Sequence, residues 1–415
     1  MTIAPRSPAF APFAIRSYRF QWSADLMTSW AFEMETLILG WYIIVQTESV
    51  LLVTLFGSLQ FLGTLVAPLF GLLGDAIGHR RVLAAMRLAY AAIAAVLAVL
   101  ALTDNLTPLL VLVGAGIAGM IRPSDMGIRN VLIGETMPDD RLMSAVSLSR
   151  ITTDSARVVG ALAGAGTVLA LGMGQAYLAV VGCYLAGLLL TFGIEVPARA
   201  APPIGRKATP LADLAEAARA VWQAPPQLAA MLMAFLVNLT CYPFTLGLLP
   251  YVARDVYGSS QAGLGYLVAA VGAGSILASL LLSAMGSRVK PARMMLVFSI
   301  AWHGLVILFG QVPSLAGGLV VLPLIGVAQM LCTLPMSVLL LRGAPPGLRG
   351  RIMGMRTLAI YGLPVGLLAS GPLIGGIGFP ATTALYGGAG MVATLAVLVF
   401  WRRHLWPEAA PGNHG

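Results

Sequence analysis

At 415 residues, 58% of them hydrophobic and only 10% charged, the chain carries more apolar surface than a water-facing fold of that size can bury. That composition excludes an ordinary soluble enzyme and makes the lipid bilayer the solvent. A net charge of +9 would suit a nucleic-acid partner in a soluble protein, but the placement of the basic residues excludes one here.

At roughly 20 apolar residues per span, the length accommodates about a dozen transmembrane helices. The apolar runs are too long for barrel strands and lack their alternation, so the fold class is an all-α membrane protein. Residues 1–21 do not read as a cleavable signal, because the following run is too long and no small-residue cleavage pattern closes it. Spans are predicted at approximately 22–46, 49–73, 82–103, 107–134, 142–170 and 175–195, then at approximately 227–253, 262–286, 293–311, 315–341, 350–376 and 380–401. Thr107-Pro108 and Thr209-Pro210 are placed to open helices as N-cap and first-turn pairs. Residues 197–210, rich in Pro, Ala and Arg, read as a linker. Beyond them Leu211, Leu214, Ala218, Val221 and Trp222 recur at helical spacing among Asp213, Glu216 and Arg219, which predicts an amphipathic helix on the cytoplasmic face. The expected division is a six-helix bundle over 1–195, a linker with amphipathic helix over 196–226, and a second six-helix bundle with a short tail over 227–415.

The halves echo one another. Thr36-Leu-Ile-Leu-Gly40-Trp-Tyr42 returns as Thr245-Leu-Gly-Leu-Leu-Pro-Tyr251, Met137-Pro138 with Arg141 as Pro345-Pro346 with Arg349, and Gly74 to Arg81 as Gly286 to Arg293. The offsets stay near about 210 positions, as expected of two pseudo-symmetric repeats.

Basic residues alternate from loop to loop. They cluster at Arg6, Arg16 and Arg19, at Arg80, Arg81 and Arg87, at Arg141, in the linker, at Arg288, Lys290 and Arg293, around Arg349, and at Arg402 and Arg403. The intervening loops carry only Arg254. This asymmetry predicts a multi-pass protein with both termini in the cytoplasm. Cys183, Cys241 and Cys332 lie within spans without paired spacing and read as packing residues, with neither disulfide nor metal site expected.

Charge inside the spans is costly and marks function or bundle locking. The fourth span places Arg122, Asp125 and Arg129 on one face, and the fifth does the same with Arg150, Asp154 and Arg157. Counting about 1.5 Å per residue from the cytoplasmic ends puts Asp125 level with Arg150 and Arg122 level with Asp154, which predicts two cross-helix pairs. Arg129 and Arg157 read as structural or gate contacts. In the first span Glu33 and Glu35 have no cation on their own helix, so burial would favour proton exchange on them. They stand about 200° apart, so only one points inward. Trp30, Trp41, Tyr42, Asn238, Tyr242 and Gln329 are candidates to line a substrate cavity.

Gly71-Leu-Leu-Gly-Asp75-Ala-Ile-Gly78-His-Arg80-Arg81, after the second span, resembles the signature between helices 2 and 3 of the major facilitator superfamily of transporters. Ala76 and His79 stand where that family usually has basic residues. The resemblance implies a gating hinge in which Asp75 caps the third helix or pairs with Arg80 or Arg81. Asp125-Met126-x-x-Arg129 with Glu135, Asp140-x-Leu142-Met143-x-Ala145, and Ala156-Arg157-Val-Val-Gly160-x-Leu-Ala-Gly164 resemble the branch that contains enterobactin exporters and macrolide efflux pumps. Ala161 follows Gly160 where exporters usually have Gly-Pro, and the Gly-Pro form occurs instead at Gly371-Pro372. In that family a polar residue follows a methionine in helix 1, which favours Glu35 as the cavity residue. The resemblance implies two six-helix bundles in the inner membrane and a monomer that exports a small amphiphilic or anionic molecule as a proton antiporter, with the proton gradient in place of a cofactor. The second reading is an importer or facilitator of a polar metabolite on the same fold.

Other motifs carry less. Gly114-Ala-Gly116-Ile-Ala-Gly119 fits a dinucleotide fingerprint but lies within a span, so it reads as close helix packing. Neither lysine, Lys207 or Lys290, follows a glycine, so there is no P-loop, and no hydrolase nucleophile motif is present. His303 reads as a packed residue. The charge asymmetry is checked by Ala201→Cys in a variant lacking the three native cysteines. The new thiol should resist an impermeant reagent outside intact cells, and labelling would reverse the orientation.

Overall fold

The computed structural model describes residues 8–196, 210–285, 290–345 and 348–406. The linker stretch 197–209 with Thr209, the 286–289 part of the internal echo and the tail 407–415 lie outside the described residues.

Helices account for the architecture, and no strand occurs among the described residues. The first seven are α1 (Arg16–Thr47), α2 (Val50–Leu59), α3 (Ala67–Ile77), α4 (His79–Leu102), α5 (Pro108–Thr136), α6 (Asp139–Leu171) and α7 (Met173–Phe192). The amphipathic run forms α8 (Pro210–Gln223), bent by 113° from the helix that follows it. Next come α9 (Pro225–Thr240), α10 (Leu249–Tyr251), α11 (Gln261–Met285), α12 (Pro291–Gln311), α13 (Leu315–Gly343), α14 (Arg349–Leu358), α15 (Gly362–Phe400) and α16 (Arg402–Leu405). Among the described residues, eight helical stretches are long and apolar enough to cross a membrane, or up to ten if each of two bent pairs is one span. The stretch Gly350–Phe400 is far longer than one crossing requires, and Gly378 interrupts it at φ 83° and ψ 165°. Helix α1 is absent from that set because Glu33 and Glu35 lower the hydropathy of its middle.

Helix ends follow local chemistry. The Thr107 hydroxyl accepts from the Leu110 amide with Pro108 in the first turn, as expected, and Ser49 and Ser314 cap α2 and α13 in the same way. The second predicted span is broken over 60–66, so that α2 and α3 bend by 49°. The seventh passes from α9 into π-helical turns at Pro243–Gly247 and Val252–Val256, since Pro243 and Pro250 cannot donate to the regular ladder.

The described residues form two compact units. One holds the chain up to the linker together with Leu249–Gly272; the other holds the segment preceding Leu249 and everything from Ala273. In the first, α1 packs against α6 and α7, and Ile38, Ile43, Tyr90, Leu97, Tyr177 and Tyr184 share its core. In the second, α12 packs against α13 and α15, and α9 against α15. Arg254, the exception in the charge pattern, is bonded to Glu48 at 2.7 Å and Asp255 at 3.1 Å within the first unit.

The glycine fingerprint in α5 is a packing device. A Cβ on Gly119 would lie 1.9 Å from the Leu59 carbonyl oxygen, and one on Gly63 1.9 Å from that of Met120. Backbone therefore rests on backbone where α2 ends. Gly119→Ala should destabilise the protein by about 2 kcal/mol through overpacking, read as a lowered Tm in detergent. Gly127→Ala, which meets open space, should leave the Tm unchanged.

Candidate functional site

One face of α1 carries the chemistry of the first unit. Asp25, Ser29, Phe32 and Thr36 recur at helical spacing along it, with Glu35 beside Thr36. Both carboxylate oxygens of Glu35 are held by α7: Tyr177 donates to Oε1 and Tyr184 to Oε2, each at 2.7 Å. Both oxygens of the carboxyl therefore act as acceptors in this arrangement. Arg122 of α5 lines the same crevice with Thr36, Leu39, Phe56 and Gln60. Its guanidinium donates to Thr36 Oγ1 at 3.1 Å and to Gln60 Oε1, and lies 4.3 Å over the Phe32 ring. All these partners are neutral, and Arg122 makes no hydrogen bond to Glu35. The crevice thus presents a carboxylate and a cation, each held by neutral groups, between apolar walls.

Nearer the N-terminal end of α1 lies a four-charge cluster. Asp25 Oδ1 pairs with Arg87 of α4 and with Arg129 Nε at 3.4 Å, while Arg129 Nε meets Asp125 Oδ2 at 2.5 Å. Arg129 also donates to Ser29 at 3.0 Å, and Arg87 to Thr191 of α7. All four charged side chains are buried. Two acids and two bases leave the cluster electrically neutral.

The expected cross-helix pairs do not form. Asp125 meets Arg129, and Asp154 meets Arg150 at 3.6 Å, each on its own helix. Matching heights along two helices says nothing about which way each side chain points: the Arg150 side chain is 66% exposed, and Arg122 turns to α1 and Gln60. The stem of Arg157 lies beside Gly272. Glu33 faces α6, where a Cβ on Gly160 would stand 2.7 Å from its own, so the two glutamates occupy different faces as expected. Trp30 lies in this unit with its indole nitrogen buried, Trp41 packs on the core, and Tyr42 donates to Leu106 O at 2.7 Å.

Asp75 neither caps α4 nor pairs with an arginine. Gly78, at φ 95°, both ends α3 and opens α4, so no side chain is needed at the cap. Asp75 lies 3.7 Å from His79 Nε2 instead, while Arg80 donates to Ile194 O at 2.7 Å and Arg81 to Ile77 O at 3.4 Å. The other imidazole nitrogen, Nδ1, is 2.8 Å from Glu135 of α5, so the hinge ties α3 to α5 through His79. Gly74 makes room for that ring, and Gly71 and Gly78 face open space.

In the second unit Asn238 donates to Ala234 O at 2.8 Å, and Tyr242 stands edge-on to Trp302 at 4.9 Å. Gln329 is buried with its carbonyl oxygen unpartnered. His303 is fully buried, its Nε2 2.8 Å from Thr240 Oγ1 and its Nδ1 donating to Ser299 O at 2.7 Å, as befits a packed residue.

Sequence reasoning missed Asp25, Gln60, Tyr177 and Tyr184, and placed Arg87 among the loop charges. The signal for Asp25 was its helical register with Phe32 and Thr36; for Arg87 it was the register with Tyr90 on α4.

The family model of the Major Facilitator Superfamily matches residues 22–368. The chain is 29% identical over 275 residues to the enterobactin exporter EntS of Escherichia coli O1:K1 / APEC, a match covering 64% of this chain and 63% of that protein. The chain therefore spans less than two thirds of the length of that relative. Among solved structures, the nucleoside transporter NupG superposes with a TM-score of 0.72 at 16% identity, covering 94% of this chain and 100% of the other. The POT family transporter PepTSo gives 0.75 at 13% identity, covering 97% and 100%.

Removing one partner from a buried ion cluster costs about 3–5 kcal/mol, whereas an exposed pair contributes about 0–1 kcal/mol. Asp25→Ala should therefore lower the Tm in detergent several-fold more than Asp154→Ala. Equal effects would mean that the Asp25 cluster is not what holds α1, α4 and α5 together.

Proposed function

The chain belongs to the major facilitator superfamily, and we propose that it is a proton-coupled antiporter exporting small anionic or amphiphilic molecules by alternating access. It is a multi-pass membrane transporter and not an enzyme. The observation that supports the substrate class is Arg122, a cation in a partly apolar crevice whose hydrogen bonds go to neutral groups, so that its charge can engage an anionic group. Leu39, Phe56 and Phe32 offer contact to the apolar part of an amphiphile.

Glu35 is the proton carrier. It lines the same crevice as Arg122, and protonation would remove an acceptor from the two tyrosines that tie α1 to α7. Proton binding and helix contacts are thereby linked, as a coupled cycle requires. Glu33, against Gly160, is the lesser candidate. Export is favoured by the likeness to the enterobactin exporter and by Gly371-Pro372. In this reading the protein works as a monomer in the inner membrane with both termini cytoplasmic, and the hinge at Asp75, Gly78 and His79 favours one access state. The proton gradient supplies the energy without a cofactor, and no nucleic acid takes part.

A panel of siderophores, drugs and sugars, followed in cells expressing and lacking the protein, identifies the cargo. With that cargo in proteoliposomes, Glu35→Gln should abolish accumulation driven by a pH gradient yet preserve exchange. Arg122→Gln should raise KM on the order of tenfold for an anionic cargo. Proton-driven transport in both Glu35→Gln and Glu33→Gln would overturn the assignment, and inward accumulation would make the protein an importer.

A further inference from the structure

Between the crevice and the four-charge cluster lies Tyr90 of α4. Its ring packs edge-on against Phe32 at 4.8 Å and lies 5.6 Å from that of Tyr184, the residue that bonds Glu35. Tyr90 is 2% exposed, and its hydroxyl has no protein partner. The charges facing it are Asp125, Arg129, Arg122 and Arg87. Glu35 itself faces Tyr177, Tyr184 and Arg122.

Tyr90 is not isolated in lacking a partner. Ser124 Oγ, Asp125 Oδ1, Arg87 Nε, Arg129 Nη2 and Gln21 Oε1 are also buried without one. Arg87, Arg129 and Asp125 belong to the cluster, Gln21 is bonded to the Arg129 carbonyl, and Ser124 adjoins Asp125. Buried polar groups left unsatisfied by protein are satisfied by internal water, which needs two to four polar partners. Here donors and acceptors are mixed along the interior of one bundle, which suits water and no single rigid ligand.

We infer that a file of internal water threads the first unit between Asp25 and Glu35, and that Tyr90 passes protons along it to Glu35. The inference rests on the reading of Glu35 as the proton carrier. The ten residues from Asp25 to Glu35 span about 15 Å of helix, so intermediates are required. Water supplies them, and Asp125 orients it, since Arg129 holds its Oδ2 and leaves Oδ1 to accept a hydrogen bond from the water that carries the proton on. Tyr90 takes that proton on Oη as it releases its own hydroxyl proton to the next water of the file, which hands one on to Tyr184. Tyr184 likewise gives its proton to Glu35 Oε2 as it receives one. One proton moves, only O–H bonds break and form, and the neutral cluster does not repel it.

The test is proton uptake by the purified full-length protein after a pH jump, read with an indicator dye. The difference between wild type and Glu35→Gln isolates uptake at Glu35. Tyr90→Phe keeps the ring packing and should leave that amplitude intact while slowing it on the order of tenfold. Ser124→Ala should slow it in the same direction and serves where Tyr90→Phe fails to fold. Wild-type rates in either folded variant would overturn the file while leaving the role of Glu35 standing. Loss of the amplitude in Tyr90→Phe would make Tyr90 part of the proton site and overturn its role as conduit. No difference between wild type and Glu35→Gln would overturn both readings.

Discussion

A charge inside lipid must find its partner within the protein, and the first unit is arranged around that requirement. Asp25, Arg87, Arg129 and Asp125 come from three helices and are buried together. A net charge at this depth would be prohibitive, whereas two acids against two bases are tolerable and directional. The cluster therefore fixes how α1, α4 and α5 turn relative to one another. Glycine contacts such as Gly119 on Leu59 and Gly160 on Glu33 set how closely the helices approach.

With α1 held in that rotation, its polar face continues to Glu35 and Thr36. There the balance changes: Glu35 is met by two tyrosines and Arg122 by a glutamine, a threonine and a ring. The lower cluster is closed on itself, while the upper crevice holds an acid and a base that are not bonded to each other, the two groups on which the proposed cycle draws. Ion-paired charge and charge hydrogen-bonded to neutral groups thus follow one another along the same side of α1.

The fold was legible because composition, span length and the helix start at Thr107-Pro108 are local properties. The family motif was equally local, being a continuous stretch at a helix junction. The site was only partly legible. Height along a helix follows from counting, so Arg122, Asp125, Arg150 and Asp154 could be ranked by depth. The direction of each side chain depends on the rotation of its helix, which the Asp25 cluster fixes across 104 residues of sequence between Asp25 and Arg129. Arg87 looked like a loop charge because the basic residues before it are loop charges, yet it is the most deeply placed member of the cluster. Tyr177 and Tyr184 gave no signal at all, since buried tyrosines in a membrane helix look alike until their hydroxyls find Glu35.

The central claim is that Glu35 exchanges a proton while the cluster below it stays ionised. Infrared difference spectroscopy of the purified protein across a pH titration reads this directly through the carbonyl stretch of protonated carboxyl groups. The account predicts one titrating carboxyl band that Glu35→Gln removes and Glu33→Gln retains. A band that survives Glu35→Gln and vanishes in Asp25→Asn or Asp125→Asn would contradict it.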